Sequence, residues 1–231
     1  MIAKLYGVGR VLKGKLCVPG DKSISHRAIM FSSLVKGKTL VEGFLPSEDC
    51  LSTMDIFQKL GVSIEREGTK LIIEGKGMEA LEAPADSLYC GNSGTTMRLM
   101  AGILSGQTFS SVLFGDESLE KRPMGRVLSP LSKMGAKISA EGEKCTAPLK
   151  IEGSALEGIC YESPIASAQV KSAVLLASLY AKGETVYTEP SLSRDHTERR
   201  LSAMGADIET KILEDGKAEI HLRPGKSLHP I

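Results

Sequence analysis

Hydrophobic positions along the chain follow two alternating periods. Three stretches, SHRAIMFSSLVKGKTLVEG (25–43), SGTTMRLMAGILSGQTFSSVLFG (93–115) and SAQVKSAVLLASLYAKGETVYTE (167–189), read as a helix, a glycine and a strand. Gly37, Gly106 and Gly183 stand where a helix C-cap is expected, and a strand rich in β-branched residues follows each. Three further stretches, 54–75, 126–153 and 198–225, read as a helix, a [LM]-G-[VA] stop and a β-hairpin. Gly61, Gly135 and Gly205 end these helices at separations of 74 and 70 residues, and Glu67-Gly68, Glu141-Gly142 and Asp215-Gly216 mark the hairpin turns. The pattern predicts an α/β fold of three β-α-β-α-β-β repeats, at about 13–77, 78–154 and 155–226.

The two helix classes differ in their patterning. RLMAGILSG and VKSAVLLASLYA are apolar around most of their circumference, which predicts burial on all sides. The other class carries one apolar stripe, such as Met124, Val127, Leu128, Leu131 and Met134, with polar residues opposite, and is expected outside. Three buried helices, surrounded by sheets and outer helices, is the simplest packing.

The buried helices begin with DKSISHR, CGNSGTTMR and SPIASAQVK: small hydroxyl, amide or glycine residues with a cation within one or two turns. In the first, the apolar run Leu16–Val18 reads as a strand stopped by Pro19-Gly20, and Ser23 or Ser25 is placed to cap the helix. Free N–H groups and the positive dipole end at such a start suit a phosphate or carboxylate. GKLCVPGDKS is not a P-loop, because Asp21 separates Gly20 from Lys22, and GKGMEA follows a hairpin strand rather than opening a dinucleotide unit.

Charge sharpens this picture. Lys and Arg total 29 against 28 Asp and Glu, so no net field points to nucleic acid or membrane, and an anion site has to be local. The five Cys (17, 50, 90, 145, 160) are scattered without CxxC pairing and read as reduced core thiols; neither they nor the four His (26, 196, 221, 229) form a metal motif. No apolar run is long enough to span a bilayer, and a cytoplasmic protein is expected.

The blocks PGDKSISHRA, GNSGTTMRL, KRPMGR and ASAQVKSA together resemble the N-terminal half of the 5-enolpyruvylshikimate-3-phosphate (EPSP) synthase family, the 3-phosphoshikimate 1-carboxyvinyltransferases. The resemblance covers the chain in order. It implies an enolpyruvyl transferase-like domain, with residues 1–12 belonging to a second, absent domain and 227–231 beginning the crossing into it. The family joins the enolpyruvyl group of phosphoenolpyruvate to the 5-hydroxyl of shikimate 3-phosphate and releases phosphate, in the pathway to chorismate and the aromatic amino acids, with no cofactor and no metal. It further implies that Lys22 contacts both substrates and takes part in proton transfer from a setting among other cations. Ser23, Arg27, Ser167, Ala168, Gln169 and Arg194 are implied to hold shikimate 3-phosphate. Asn92, Gly94, Thr95, Arg122 and Gln169 are implied to border phosphoenolpyruvate, Gly94 leaving room for that ligand or for the inhibitor glyphosate, and Arg98 to support the loop. Leu99 departs from the proline found at its position in many members, and His26 reads as a packing residue. The resemblance implies a monomer whose partners are the two substrates and its own missing C-terminal domain, inactive without that domain. Two alternatives stand beside it: a non-catalytic anion- or substrate-binding domain, and a UDP-N-acetylglucosamine enolpyruvyl transferase. The latter expects a Lys-Asn pair and a loop Cys where this chain has Lys22-Ser23 and DESLEKRP.

Overall fold

Asp21 opens the first helix, its carboxylate accepting from the Ile24 N–H at 2.8 Å, so the cap is Asp21 and neither Ser23 nor Ser25. The computed structural model describes residues 13–231 together with Lys4, Gly7 and Gly9; the expected second-domain segment 1–12 otherwise lies outside the described residues.

The first repeat contains α1 (Lys22–Leu34), β1 (Lys36–Val41), α2 (Glu48–Lys59) and the hairpin β2 (Ser63–Glu67), β3 (Lys70–Lys76). The second contains β4 (Leu88–Tyr89), α3 (Gly94–Ser105), β5 (Ser110–Phe114), a single turn α4 (Glu117–Glu120), α5 (Gly125–Lys133), β6 (Lys137–Glu141) and β7 (Thr146–Glu152). The third contains β8 (Leu156–Glu157), β9 (Cys160–Glu162), α6 (Ala168–Ser178), β10 (Ala181–Lys182), β11 (Thr185–Glu189), α7 (His196–Ala203), β12 (Asp207–Ile212) and β13 (Ala218–Arg223).

Each repeat builds its own sheet. Strand orders are β1-β3-β2 in the first, β4-β5-β7-β6 in the second and β12-β13-β11-β9 in the third; β8 and β10 form a short parallel pair. In the second and third sheets a short strand lies parallel to β5 or β11, pairing Leu88 with Leu113 and Tyr161 with Tyr187. The first sheet lacks this strand among the described residues. Leu16–Val18, expected to supply it, forms no strand, and Leu16 and Val18 stand 86% and 76% exposed.

The helix classes divide as their patterning predicts. Ser25–Leu34 of α1 and Val170–Ser178 of α6 are buried without interruption, and α3 is buried except at Thr95 and Arg98. The outer helices bury single stripes, Cys50, Thr53, Ile56 and Phe57 on α2 and Val127, Leu128, Pro130 and Leu131 on α5. Gly61, Gly135 and Gly205 follow the outer helices at φ +86, +93 and +93, the left-handed stop that favours glycine. Gly106 caps α3, but Gly37 and Gly183 do not cap their helices. α1 and α6 close earlier, at Val35 and Leu179, which leaves Gly37 inside β1 and Gly183 in the turn after β10. Of the cysteines, Cys50 and Cys90 are core thiols as expected, whereas Cys17 and Cys160 are exposed.

Each repeat is tied off by the same backbone bond. The N–H groups of Glu82, Glu157 and His229 donate to the carbonyls of Leu60, Met134 and Met204, each the residue before a helix-ending glycine. The third of these bonds holds the segment 227–231 against α7, with Leu228 packed on the core and Pro230 beside Gly37 of β1.

Candidate active site

The three central helices begin next to one another, and each start is built the same way. Asp21, Ser93 and Ser167 cap α1, α3 and α6 by accepting from the N–H three residues on, at 2.8, 3.1 and 3.4 Å. The preceding pairs of helical N–H groups, on Lys22 and Ser23, Gly94 and Thr95, and Ala168 and Gln169, have no acceptor within their helix. Positive dipole ends therefore converge with residues that the sequence singled out.

Arg27 joins the first start to the third. It is 4% exposed; Nε donates to Thr197 Oγ1 at 2.8 Å, Nη2 to Ser172 Oγ at 2.7 Å and Nη1 to the Ser23 carbonyl at 3.1 Å. Burial, and the nearby charge of Arg194, push its guanidinium below the usual value, while Glu198 and Asp21 act the other way. Arg194 reaches the same place from the loop before α7, its Nη1 3.5 Å from Ser23 Oγ.

Gln169 joins the third start to the second. Its Nε2 donates to Thr95 Oγ1 at 2.9 Å and its Oε1 accepts from Arg98 Nη1 at 3.1 Å. Arg98 also donates to the carbonyls of Gly94 and Pro123, so it braces the loop as expected. Burial and the charges of Arg122 and Arg126 lower its pKa. A Cβ on Gly94 would stand 2.5 Å from Arg98 Nη1 and 3.4 Å from Arg122 Nη1, so the space that Gly94 leaves is bounded by these two guanidinium groups.

Asn92 and Arg122 form a third group. Arg122 Nη2 donates to Asn92 Oδ1, and Asn92 Nδ2 donates to Asp116 Oδ2 at 2.7 Å. That bond, with the Leu119 N–H, holds the Asp116 carboxyl below the usual carboxylate range. Lys22 departs from its expected setting among cations: its Nζ pairs with Asp49 Oδ2 at 2.9 Å, and half of its side chain is exposed.

Several residues of this arrangement escaped the sequence reading. Thr53 and Thr96 link α2 to α3 at 2.8 Å, Thr96 donates to Ser93 at 2.7 Å, and Thr53 lies 2.7 Å from His26 Nδ1. His26 is fully buried, and burial, only partly opposed by Asp49, lowers its pKa to about 4, so the imidazole is neutral near pH 7. Ser172, Thr197 and Asp49 likewise carry no motif of their own. For Thr96 and Ser172 the one available signal was a hydroxyl inside an otherwise apolar helix, which needs a partner when buried; Thr53, Thr197 and Asp49 lie on the more polar outer helices and gave none.

Chemically, the cluster offers Lys22, Arg27, Arg98, Arg122 and Arg194 around three helix starts. It suits an anion with more than one charged group, such as a phosphate and a carboxylate. No group of three or more His, Cys, Asp and Glu among the described residues is arranged to hold a metal ion, and no helix among them is long and apolar enough to cross a membrane. A groove of about 830 Å³ lined by Pro84–Ser87, β5, β6 and β7 shares no residue with the cluster.

Residues 8–230 match the family described as EPSP synthase (3-phosphoshikimate 1-carboxyvinyltransferase). The chain is 58% identical over 201 residues to a 3-phosphoshikimate 1-carboxyvinyltransferase of Citrifermentans bemidjiense, covering 86% of this chain and 46% of that protein. It is 56% identical over 199 residues to the protein of the same name in Bacillus subtilis, with the same coverage of each. Among solved structures, EPSP synthase from Acinetobacter baumannii superposes with a TM-score of 0.87 at 53% identity, covering 93% of this chain and 48% of the other. The chain thus spans about half the length of the curated relatives it matches.

Proposed function

The chain belongs to the EPSP synthase family, and on that premise we propose that it forms one half of a cleft that transfers the enolpyruvyl group of phosphoenolpyruvate to the 5-hydroxyl of shikimate 3-phosphate. The observation that carries this reading is the junction of three helix starts through two side chains, Arg27 and Gln169. In it, Ser23, Arg27, Ser167, Ala168 and Arg194 hold the shikimate phosphate, and Arg27 keeps two of its five N–H groups for that ligand. Asn92, Gly94, Thr95 and Arg122 border phosphoenolpyruvate, and Gln169 lies between the two substrates. A planar guanidinium is suited to grip carboxylate or phosphate through paired bonds.

The reaction adds the substrate hydroxyl across the enol double bond and then eliminates phosphate. A proton goes onto the methylene carbon and one leaves the hydroxyl; elimination then takes a proton back off the methyl group. In this reading Lys22, whose Nζ lies 2.9 Å from Asp49 Oδ2, takes part in such transfer, and the cations stabilise charge building on the phosphate as its bond breaks. The opposing acid–base carboxylates belong to the other half of the cleft. The same reading has the enzyme acting as a cytoplasmic monomer without cofactor.

Half a cleft leaves its contacts wet and screened. The 231-residue chain is therefore expected to bind shikimate 3-phosphate in the sub-millimolar to millimolar range, about −4 to −5 kcal/mol, more weakly as salt rises, and to show no turnover. An NMR titration tests the first part: shifts should cluster at residues 22–27, 94–95, 122 and 167–169. A phosphate-release assay with both substrates tests the second. Measurable catalysis by this chain overturns the division of labour, and absence of shifts in these segments overturns the site.

A further inference from the structure

Lys171, Glu189 and Glu198 form a charged cluster inside the third repeat that the chemistry above does not use. The Lys171 side chain is completely buried on α6; its Nζ lies 2.8 Å from Glu189 Oε1 at the end of β11 and 2.6 Å from Glu198 Oε1 on α7. Burying charge is costly, and packed apolar residues of similar volume often stabilise a fold as well as a buried ion pair does. What such a cluster supplies distinctively is fixed geometry, and here the geometry is delivered to a particular place.

Glu189 accepts from the Ser193 N–H at 2.8 Å and from its hydroxyl at 2.9 Å, while Lys171 Nζ donates to the Ser193 carbonyl at 3.3 Å. One loop residue is thereby held by its amide, its hydroxyl and its carbonyl. The next residue is Arg194, which points back to Ser23 at the start of α1. On the far side of the cluster, Ser172 follows Lys171 and Thr197 precedes Glu198, and these two hydroxyls accept from Arg27.

We propose that the Lys171–Glu189–Glu198 cluster is a mount for the anion-gripping arginines, with Glu189 and Ser193 acting as positioning residues that set Arg194 toward the phosphate of the substrate. The proposal rests on the functional reading above. By holding the loop backbone before ligand arrives, the cluster removes part of the ordering cost of binding through a long, flexible side chain.

A double-mutant cycle tests this in the 231-residue chain, with shikimate 3-phosphate as the probe and binding read by NMR titration. Glu189→Ala is the informative variant, because Lys171 then keeps Glu198 as a one-to-one partner; Lys171→Ala would leave two buried carboxylates facing each other. Arg194→Ala and Glu189→Ala are each expected to weaken binding by about tenfold, and the two together to be within about twofold of Arg194→Ala alone. Glu189→Ala combined with Gln169→Ala, a substrate contact outside the cluster, should instead multiply the separate effects. Where Glu189→Ala fails to fold, Ser193→Ala replaces it, with about threefold weakening that disappears in the Arg194→Ala background. If either variant costs as much with Arg194 absent as with it present, the cluster acts on the fold at large and the inference falls while the functional reading stands. No binding by the unsubstituted chain overturns that reading, and the inference with it.

Discussion

His26 and Arg27 are neighbours on α1 that bury opposite kinds of polarity. His26 lies in the core as a neutral ring, whereas its unfolded counterpart titrates near pH 6.5. Its folded pKa is depressed, so the unfolded state binds more protons as pH falls below 6.5. The contribution is complete above that value and is lost progressively down to about 4, for about 3 kcal/mol in all. Urea unfolding between pH 4 and 7 should show this slope, and His26→Gln should flatten it; an unchanged slope would assign the acid sensitivity elsewhere. Arg27 is a buried cation that ties three segments together. Arg27→Ala should therefore lower stability by about 2–4 kcal/mol along with shikimate 3-phosphate affinity, because it removes two buried hydrogen bonds to other segments and a third within α1, and leaves a void among them. Arg122→Ala, at an exposed group on Asn92, should leave stability within about 0.5 kcal/mol. Thermal melts paired with titrations separate the two. The sequence pointed to both arginines through their motifs, yet their different supports were invisible there: Ser172 and Thr197 lie far from Arg27 along the chain, and only packing makes them its partners.

Among the central helices, α3 and α6 approach closely. A Cβ on Gly102 would strike the backbone carbonyl of Ala173, so these two helices touch main chain to main chain. Gly102→Ala must push them apart and should cost about 1–3 kcal/mol in denaturant unfolding, despite the better helix propensity of alanine. A near-neutral result would show that the interface has room. Period and stop signals made the helices and hairpins legible, because apolar stripes and left-handed glycines act locally. Caps were less so: Asp21, Ser23 and Ser25 are all good candidates on paper, and the hydrogen bond to Ile24 selects the first. Gly37 and Gly183 looked like stops because a glycine after an apolar run is ambiguous between a helix cap and a positive-φ position in the strand or turn beyond it. Leu16–Val18 had the composition of a strand, but composition does not supply a neighbour, and the segment is solvent-exposed.

For the whole molecule, pseudo-threefold repetition explains why residues far apart in sequence meet at one end. Each repeat places a central helix start at the same level, and the recurring bond to Leu60, Met134 and Met204 keeps the three in step. Among the described residues the imperfection is the first sheet, which has three strands where the others have four. That difference bears on how copies of the chain behave toward one another in concentrated solution. A bare strand edge is a template on which a second molecule can add its own strand, and edge lysines are a common guard against such fibre-like growth. Among the described residues no strand pairs with the outer edge of β1, which carries Lys36 and Lys38 and the 60% exposed Leu40. Replacing both lysines with valine should convert a clear solution into one whose light scattering climbs with time and concentration, with added salt having the same direction of effect on the unsubstituted chain. On this expectation, two positive charges outside the anion cluster keep copies of the chain apart.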